Sequence, residues 1–180
     1  MLPYWVKLER AKRQVRVPDQ IGALPRELRD QLRSIEPIVW PAVRFFPCQV
    51  TTRDGVVHPR VYLAEARGVG LHGFKWPWEI SQPWILIEHI VSIEPSPFRL
   101  PARFSRLLSE SGETRMGMTA YSITLRNGQK HRFAFSSGLL DFPHWPHGVD
   151  PEQVVAVTPH DYDPADRPNR GATFEWCLYR

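Results

Sequence analysis

Apolar residues recur along the chain with two different periods, and the switches between them mark the predicted elements. Val6 and Leu8 are apolar at even positions, whereas Ala11, Val15 and Val17 are apolar at odd ones. The opening segment therefore reads as an irregular or bulged edge strand. From Leu24 the spacing Leu24, Leu28, Leu32, Ile35 is helical, with Pro25 suited to a first turn and Pro37 closing the segment. Residues 43–52 and 56–66 are rich in β-branched and aromatic side chains and flank Asp54-Gly55. That dipeptide supplies the positive φ of a hairpin turn, and Pro47 and Pro59 push the hairpin towards a sheet edge.

A glycine-rich loop over residues 68–83 is followed by a predicted core strand over 84–94, with Ile85, Ile87, Val91 and Ile93 on one face. His89 falls on that face too and reads as a hydrogen-bonded core histidine. Leu100, Phe104, Leu107 and Leu108 form a second helical stripe, bounded by Pro101 and Gly112. Tyr121, Ile123 and Leu125 then alternate with polar residues, Asn127-Gly128 makes a turn, and His131, Phe133 and Phe135 line the return strand. Residues 154–158 and 174–179 are two further short strands, separated by a polar surface loop over about 159–171. The pattern predicts an α+β fold: a mainly antiparallel β-sheet of about six to seven strands with two short helices.

Length and composition bound this picture. At 180 residues the chain is expected to form a single domain, 1–180, with a basic N-terminal arm over about 1–17. Eighteen prolines and eleven glycines leave little room for long helices, which argues against a bundle. Two cysteines, Cys48 and Cys177, are too few for a disulfide framework and read as buried thiols. No apolar run reaches the length of a signal peptide core or a membrane span, so a soluble, cytoplasmic protein is expected. Through Arg53 there are ten basic and five acidic residues, a net of +5, and the remainder carries −1. Any positive field therefore lies in the first third.

No short motif announces a reaction. Gly68, Gly70 and Gly73 have the spacing of dinucleotide-binding glycines, but Pro77 obstructs the helix that such a site needs. His144 and His147, with Asp141, offer nitrogen and oxygen ligands to a divalent ion and are the candidate metal set, although Pro143 and Pro146 oppose a helix that would align them. His160, Asp161, Asp163 and Asp166 form an acidic cluster without the glycine and glutamate of an EF-hand, and turn capping is the simpler role. No glycine-bracketed serine occurs, and both cysteines sit among apolar neighbours that suppress a thiolate. Neither a catalytic residue nor a cofactor is assigned.

Arginines and aromatics carry the remaining signal. Arg99, Arg103 and Arg106 recur at helical spacing on the polar side of the second predicted helix, and Arg26, Arg29 and Arg33 on the first. Each stripe can present guanidinium forks to carboxylates or phosphates, or can simply be a solvated face. Phe74, Trp76, Trp78 and Trp84 crowd eleven positions of a glycine- and proline-rich segment, and Trp145 lies between His144 and His147. Such rings either dock a partner or form a lid over the core. The leading expectation is a noncatalytic module, an adaptor or a neutralising inhibitor of a toxin or enzyme. It binds a protein partner through Phe74, Trp76, Trp78, Arg99, Arg103, Arg106 and Trp145. Nucleic-acid binding through the basic arm and stacked aromatics is the second expectation, and a metal-dependent hydrolase at His144 and His147 the third. Homodimerisation through an edge strand is a further option.

Overall fold

The start of the chain is helical, not extended: α1 spans Tyr4–Lys12. The parity shift that suggested a bulged strand is what a helix produces, since apolar positions 4, 8 and 11 are spaced four and three apart. Arg10 and Lys12 close its last turn, where cations complement the helix dipole. The expected helix after Leu24 forms as α2 (Arg26–Leu32), with Pro25 at its N-cap and Glu27 in its first turn. Its apolar stripe, Leu24, Leu28, Leu32 and Ile35, is buried throughout. In the computed structural model, the described residues are 3–12, 14–39, 43–71, 75–135, 139–163 and 172–180. They divide into two compact units, Met1–Pro95 with Phe174–Arg180, and Ser96–Thr173.

In the first unit, β1 (Ile38–Val39), β2 (Arg44–Thr52) and β3 (Val57–Glu65) are joined antiparallel, and Gly55 supplies the turn with φ +81°. The prolines do not sit at a sheet edge. Pro47 faces Tyr62 on one side, but on the other it falls between the stretches of β2 that pair with β1 and with β5 (Ile90–Pro95). Pro59 lies in a bulge, where the register with β2 slips between Cys48 and Val50, ahead of the first paired residue on β3's other side. Both lack a backbone donor at places where the ladder is interrupted, which is how proline is tolerated away from an edge.

The segment read as a glycine loop is partly helical, because α3 (Ala66–Leu71) follows β3 directly. Gly70 is there for contact, not for turning. A Cβ at that position would come within 2.6 Å of Val15 Cγ1 and 3.1 Å of Trp76 Cη2. The strand expected over 84–94 is broken into β4 (Trp84–Leu86) and β5 by a 3₁₀ turn at Ile87–His89. That turn shifts the alternation: Ile90 and Ile93 point inward, Val91 is 50% exposed, and His89 is exposed instead of in the core.

The last strand, β9 (Glu175–Tyr179), inserts parallel between β3 and β4. The spatial order is therefore β5, β2, β3, β9, β4, with β1 beside the start of β2. A flat sheet would hold β5 and β4 about 19 Å apart across four interstrand gaps. The linking 3₁₀ residues span only about 6 Å. The sheet must therefore curl until its edges approach, and α2 packs against β5. The interior so formed holds Leu24, Leu28, Leu32, Ile35, Val50, Val61, Leu63, Ile85, Ile87, Ile93 and the two free thiols, Cys48 and Cys177. Burial pushes the Cys177 thiol well above its ordinary pKa.

The second unit follows the predicted pattern closely. Here α4 (Ala102–Ser111) starts after Pro101 and stops at Gly112, whose φ is +72°. The strands β6 (Thr119–Leu125), β7 (Lys130–Phe135) and β8 (Val154–Pro159) form an antiparallel sheet in the order β7, β6, β8. Tyr121, Ile123, Leu125, Phe133 and Phe135 meet Leu100, Phe104 and Leu108 in its core. The described residues thus hold four α-helices and nine strands, an α+β fold dominated by sheet, against the two helices and six to seven strands expected. No helix among them is long and apolar enough to cross a membrane.

Candidate functional site

The tryptophan-rich segment is organised by one tight turn. A 3₁₀ turn at Pro77–Ile80 is capped by Glu79, whose Oε2 accepts from the Trp76 backbone N–H at 2.7 Å, and it ends at Ser81 in the left-handed region with φ +54°. This turn sets the Trp76 and Trp78 rings nearly parallel, 8° apart with centroids at 5.7 Å, and places Trp78 4.8 Å from Trp84 at 51°. The far end is tied down by the Trp176 backbone N–H, which donates to the Pro83 carbonyl at 2.9 Å, and by the Trp176 indole N–H, which donates to the Gln82 side chain. Trp76, Trp78 and Trp84 are each half-buried. Trp76 lies against Gly70, and each of the three residues keeps a minor part of its surface accessible.

Trp84 also belongs to a cleft of about 610 Å³ at one end of the curled sheet. Topology gathers its walls: β2 ends there, β3, β9 and β4 begin there, and the Ile87–His89 turn closes the rim. Thr52, Arg53, Asp54, His58, Glu175 and His89 thereby share one opening with Trp84. His58 Nδ1 and Glu175 Oε2 are 2.6 Å apart, both partly buried. An ionised Glu175 requires the proton of this bond to sit on Nδ1, which donates to the carboxylate. The Asp54 carboxylate accepts from the Thr52 hydroxyl at 2.6 Å and from the Val56 backbone N–H at 3.4 Å, bonds that hold its pKa below the ordinary carboxylate value. Because the Thr52 hydroxyl is engaged in this way, it is not paired with His58 as an activated nucleophile would be. The cleft combines an indole wall with two carboxylates, two imidazoles and a single guanidinium.

No protein-family model matches this chain, and no curated protein or solved structure does.

The predicted site residues are distributed over both units. Phe74 lies outside the described residues, as does Gly73. Trp76 and Trp78 form the row with Trp84. In the second unit Arg99 precedes α4 and so does not continue the stripe of Arg103 and Arg106. Its Nε donates to Asp141 Oδ1 at 2.9 Å, and the two side chains are 11% and 0% exposed, so Arg99 is committed to an internal ion pair. Arg103 and Arg106 are exposed on α4, with the Arg103 guanidinium 4.5 Å from the Phe104 ring centroid. Trp145 is half-buried against the unit's core, its Nε1 donating to the Phe98 carbonyl at 2.7 Å and its ring 6.3 Å from Phe133. It serves its own unit's packing to that extent.

The candidate metal set does not converge. Asp141 is sealed in the core with Arg99, whereas His144 and His147 are exposed. Among the described residues no group of three or more His, Cys, Asp or Glu side chains could hold a metal ion. His160 turns its Nδ1 to the Asp161 carbonyl at 2.8 Å, and Asp166 lies outside the described residues. Gly68 and Gly70 are inside α3, not in a phosphate loop. Sequence reading passed over His58 and Glu175, which stand 117 positions apart and become neighbours only through the β3–β9 pairing. Asp54 was visible only as a turn residue.

Proposed function

We propose that the protein is a noncatalytic binding module that captures a protein partner across Trp76, Trp78 and Trp84, with the adjoining cleft taking one of the partner's side chains. One observation carries this reading: the three indoles form a continuous, partly accessible row whose last member, Trp84, is also a wall of the cleft. Tryptophan held rigidly beside a pocket offers large contact area with little rotamer entropy to lose, which is why such residues dominate interface energetics. Arg103 and Arg106, exposed on α4, are proposed as a separate contact on the second unit. An adaptor or a neutralising inhibitor would act in this way, and two free cysteines agree with a reducing, cytoplasmic setting.

A nucleic-acid ligand fits the row less well. Trp76 and Trp78 already stack on each other, which leaves less ring face for bases, and Asp54 and Glu175 at the end of the row repel phosphates. The test compares partner capture by the wild type, Trp78→Ala and Arg103→Glu from the source cell, then measures affinity for the purified captured protein. Trp78→Ala should weaken it at least about thirtyfold, the effect of a hot-spot residue, with the thermal midpoint unchanged within a few degrees. Binding that is unaffected, or a variant that unfolds, would show that the indoles serve the core alone. Binding that collapses between low and high salt would favour nucleic acid.

A further inference from the structure

At the opposite end of the same sheet, the start of β2 and the end of β9 meet α2 around a groove of about 370 Å³. Three guanidinium groups border it: Arg29 and Arg33 from α2 and Arg44 from β2, all exposed to solvent. Two half-buried rings, Phe46 and Tyr179, form its accessible apolar walls over a floor that includes Leu32. No carboxylate lines the groove among the described residues. Carboxylates stand close by all the same: Asp30 bonds Arg33 Nη1 at 2.9 Å and offsets one of the three charges, Glu65 lies 3.8 Å from Lys12 Nζ, and Glu36 stands in the chain between Ile35 and Pro37. The Arg29 guanidinium makes a long 3.5 Å bond to the Leu24 carbonyl, and the Arg44 side chain has no hydrogen bond among the described residues. The groove thus sets three exposed guanidinium groups, one of them paired with Asp30, beside two partly buried rings, and its arginines lie in the part of the chain that carries the positive excess.

We propose that this groove binds a small amphiphilic anion, a carboxylate or phosphate head joined to an apolar body. The head would be gripped by Arg44 and Arg29, with Arg33 alongside, and the body would lie between Phe46 and Tyr179. Guanidinium forks match the paired oxygens of both head groups, and partial exclusion from water strengthens those bonds. Burial, together with nearby Glu65, pushes the Tyr179 hydroxyl up to about 12, so it keeps its proton at neutral pH and remains a donor. The groove's volume lies at the lower end of the range for small-molecule sites, roughly 300–1,000 Å³. A compact ligand suits it better than an extended chain.

Calorimetric titration of the full chain with octanoate, octyl phosphate, octanol, octylammonium and inorganic phosphate tests the proposal. Octanoate or octyl phosphate should bind at least tenfold more tightly than octanol or inorganic phosphate, and octylammonium should not bind measurably. Whichever anion is tighter identifies the head group. Arg44→Gln should weaken that anion tenfold or more, and Arg33→Gln by less, because Asp30 already neutralises Arg33 in part. Thermal unfolding of both variants should match the wild type, as both side chains are exposed. Octanol binding as well as the anions, inorganic phosphate binding as well as octyl phosphate, or Arg44→Gln leaving affinity unchanged would each overturn it.

Discussion

Removing the carboxylate of Asp141 should destabilise the second unit more than any surface change. Asp141 is fully buried and Arg99 nearly so, and Nε and Oδ1 meet at 2.9 Å. At that separation and an effective dielectric of about 20, their attraction is roughly 6 kcal/mol before the desolvation of both ions is subtracted. The net worth of the pair is therefore small, but Asp141→Ala leaves the desolvation of Arg99 uncompensated. Arg99 Nη2 is already buried without a hydrogen-bond partner, so little nearby can replace the lost acceptor. The expected loss is about 3–5 kcal/mol. In urea, with a slope near 2 kcal/mol per molar, the midpoint should fall by roughly 1.5–2.5 M. The double variant Arg99→Met/Asp141→Leu removes both charges and should recover most of that loss. A loss below about 1 kcal/mol for Asp141→Ala, or a double variant no more stable than the single, would refute the claim that the penalty comes from stranding a buried cation.

Four further outcomes follow from particular contacts. Tyr121 stacks between Phe133 and Phe135 with its hydroxyl buried and unpartnered, so Tyr121→Phe should leave stability unchanged or raise it by about 1 kcal/mol in urea unfolding; a clear loss would mean that the hydroxyl has a partner. Tyr179, raised from 10.0 to about 12, and Tyr121, raised well above 10.0, hold their protons longer folded than unfolded. Their contribution is thus intact below pH 10 and is lost as pH rises from there, and the thermal midpoint of Tyr179→Phe should decline less steeply over that range than the wild type's. Gly70→Ala should destabilise by about 1–3 kcal/mol despite alanine's better helix propensity, with a shift in tryptophan emission, because the new methyl displaces Val15 and Trp76. Glu175→Gln, which removes the carboxylate facing His58 at 2.6 Å, should move the His58 imidazole resonances in an NMR spectrum at neutral pH; an unchanged spectrum would dissociate the pair.

Elements governed by short-range preferences were legible in the letters. The stripe Leu24, Leu28, Leu32, Ile35 predicted α2, and Asp54-Gly55 and Asn127-Gly128 predicted turns whose glycines have φ of +81° and +85°. The alternation from Tyr121 to Phe135 predicted the β6–β7 hairpin. Where the reading failed, the missing information was non-local. Residues 84–94 have the composition of one strand, but its two halves pair with different strands, β9 and β2, and the 3₁₀ break between them turns Val91 outward and brings His89 to the rim of the cleft. Pro47 and Pro59 look like edge markers until the gap beside β2 and the bulge in β3 are known.

The candidate site divides along the same line. The crowding of tryptophans between residues 76 and 84 was visible as composition, and so were the arginines of α2. Their contacts were not: the ring row depends on a Glu79-capped turn, and the anion groove on β2 delivering Arg44 and Phe46 beside Arg29. The meeting of His58 with Glu175 depends on β9 crossing the whole chain length to pair with β3. Backbone dihedral preferences and apolar periods act over a handful of positions, so a linear string records them. Which strand ends come together is settled by burial summed over an entire unit, and no local stretch of residues carries that sum.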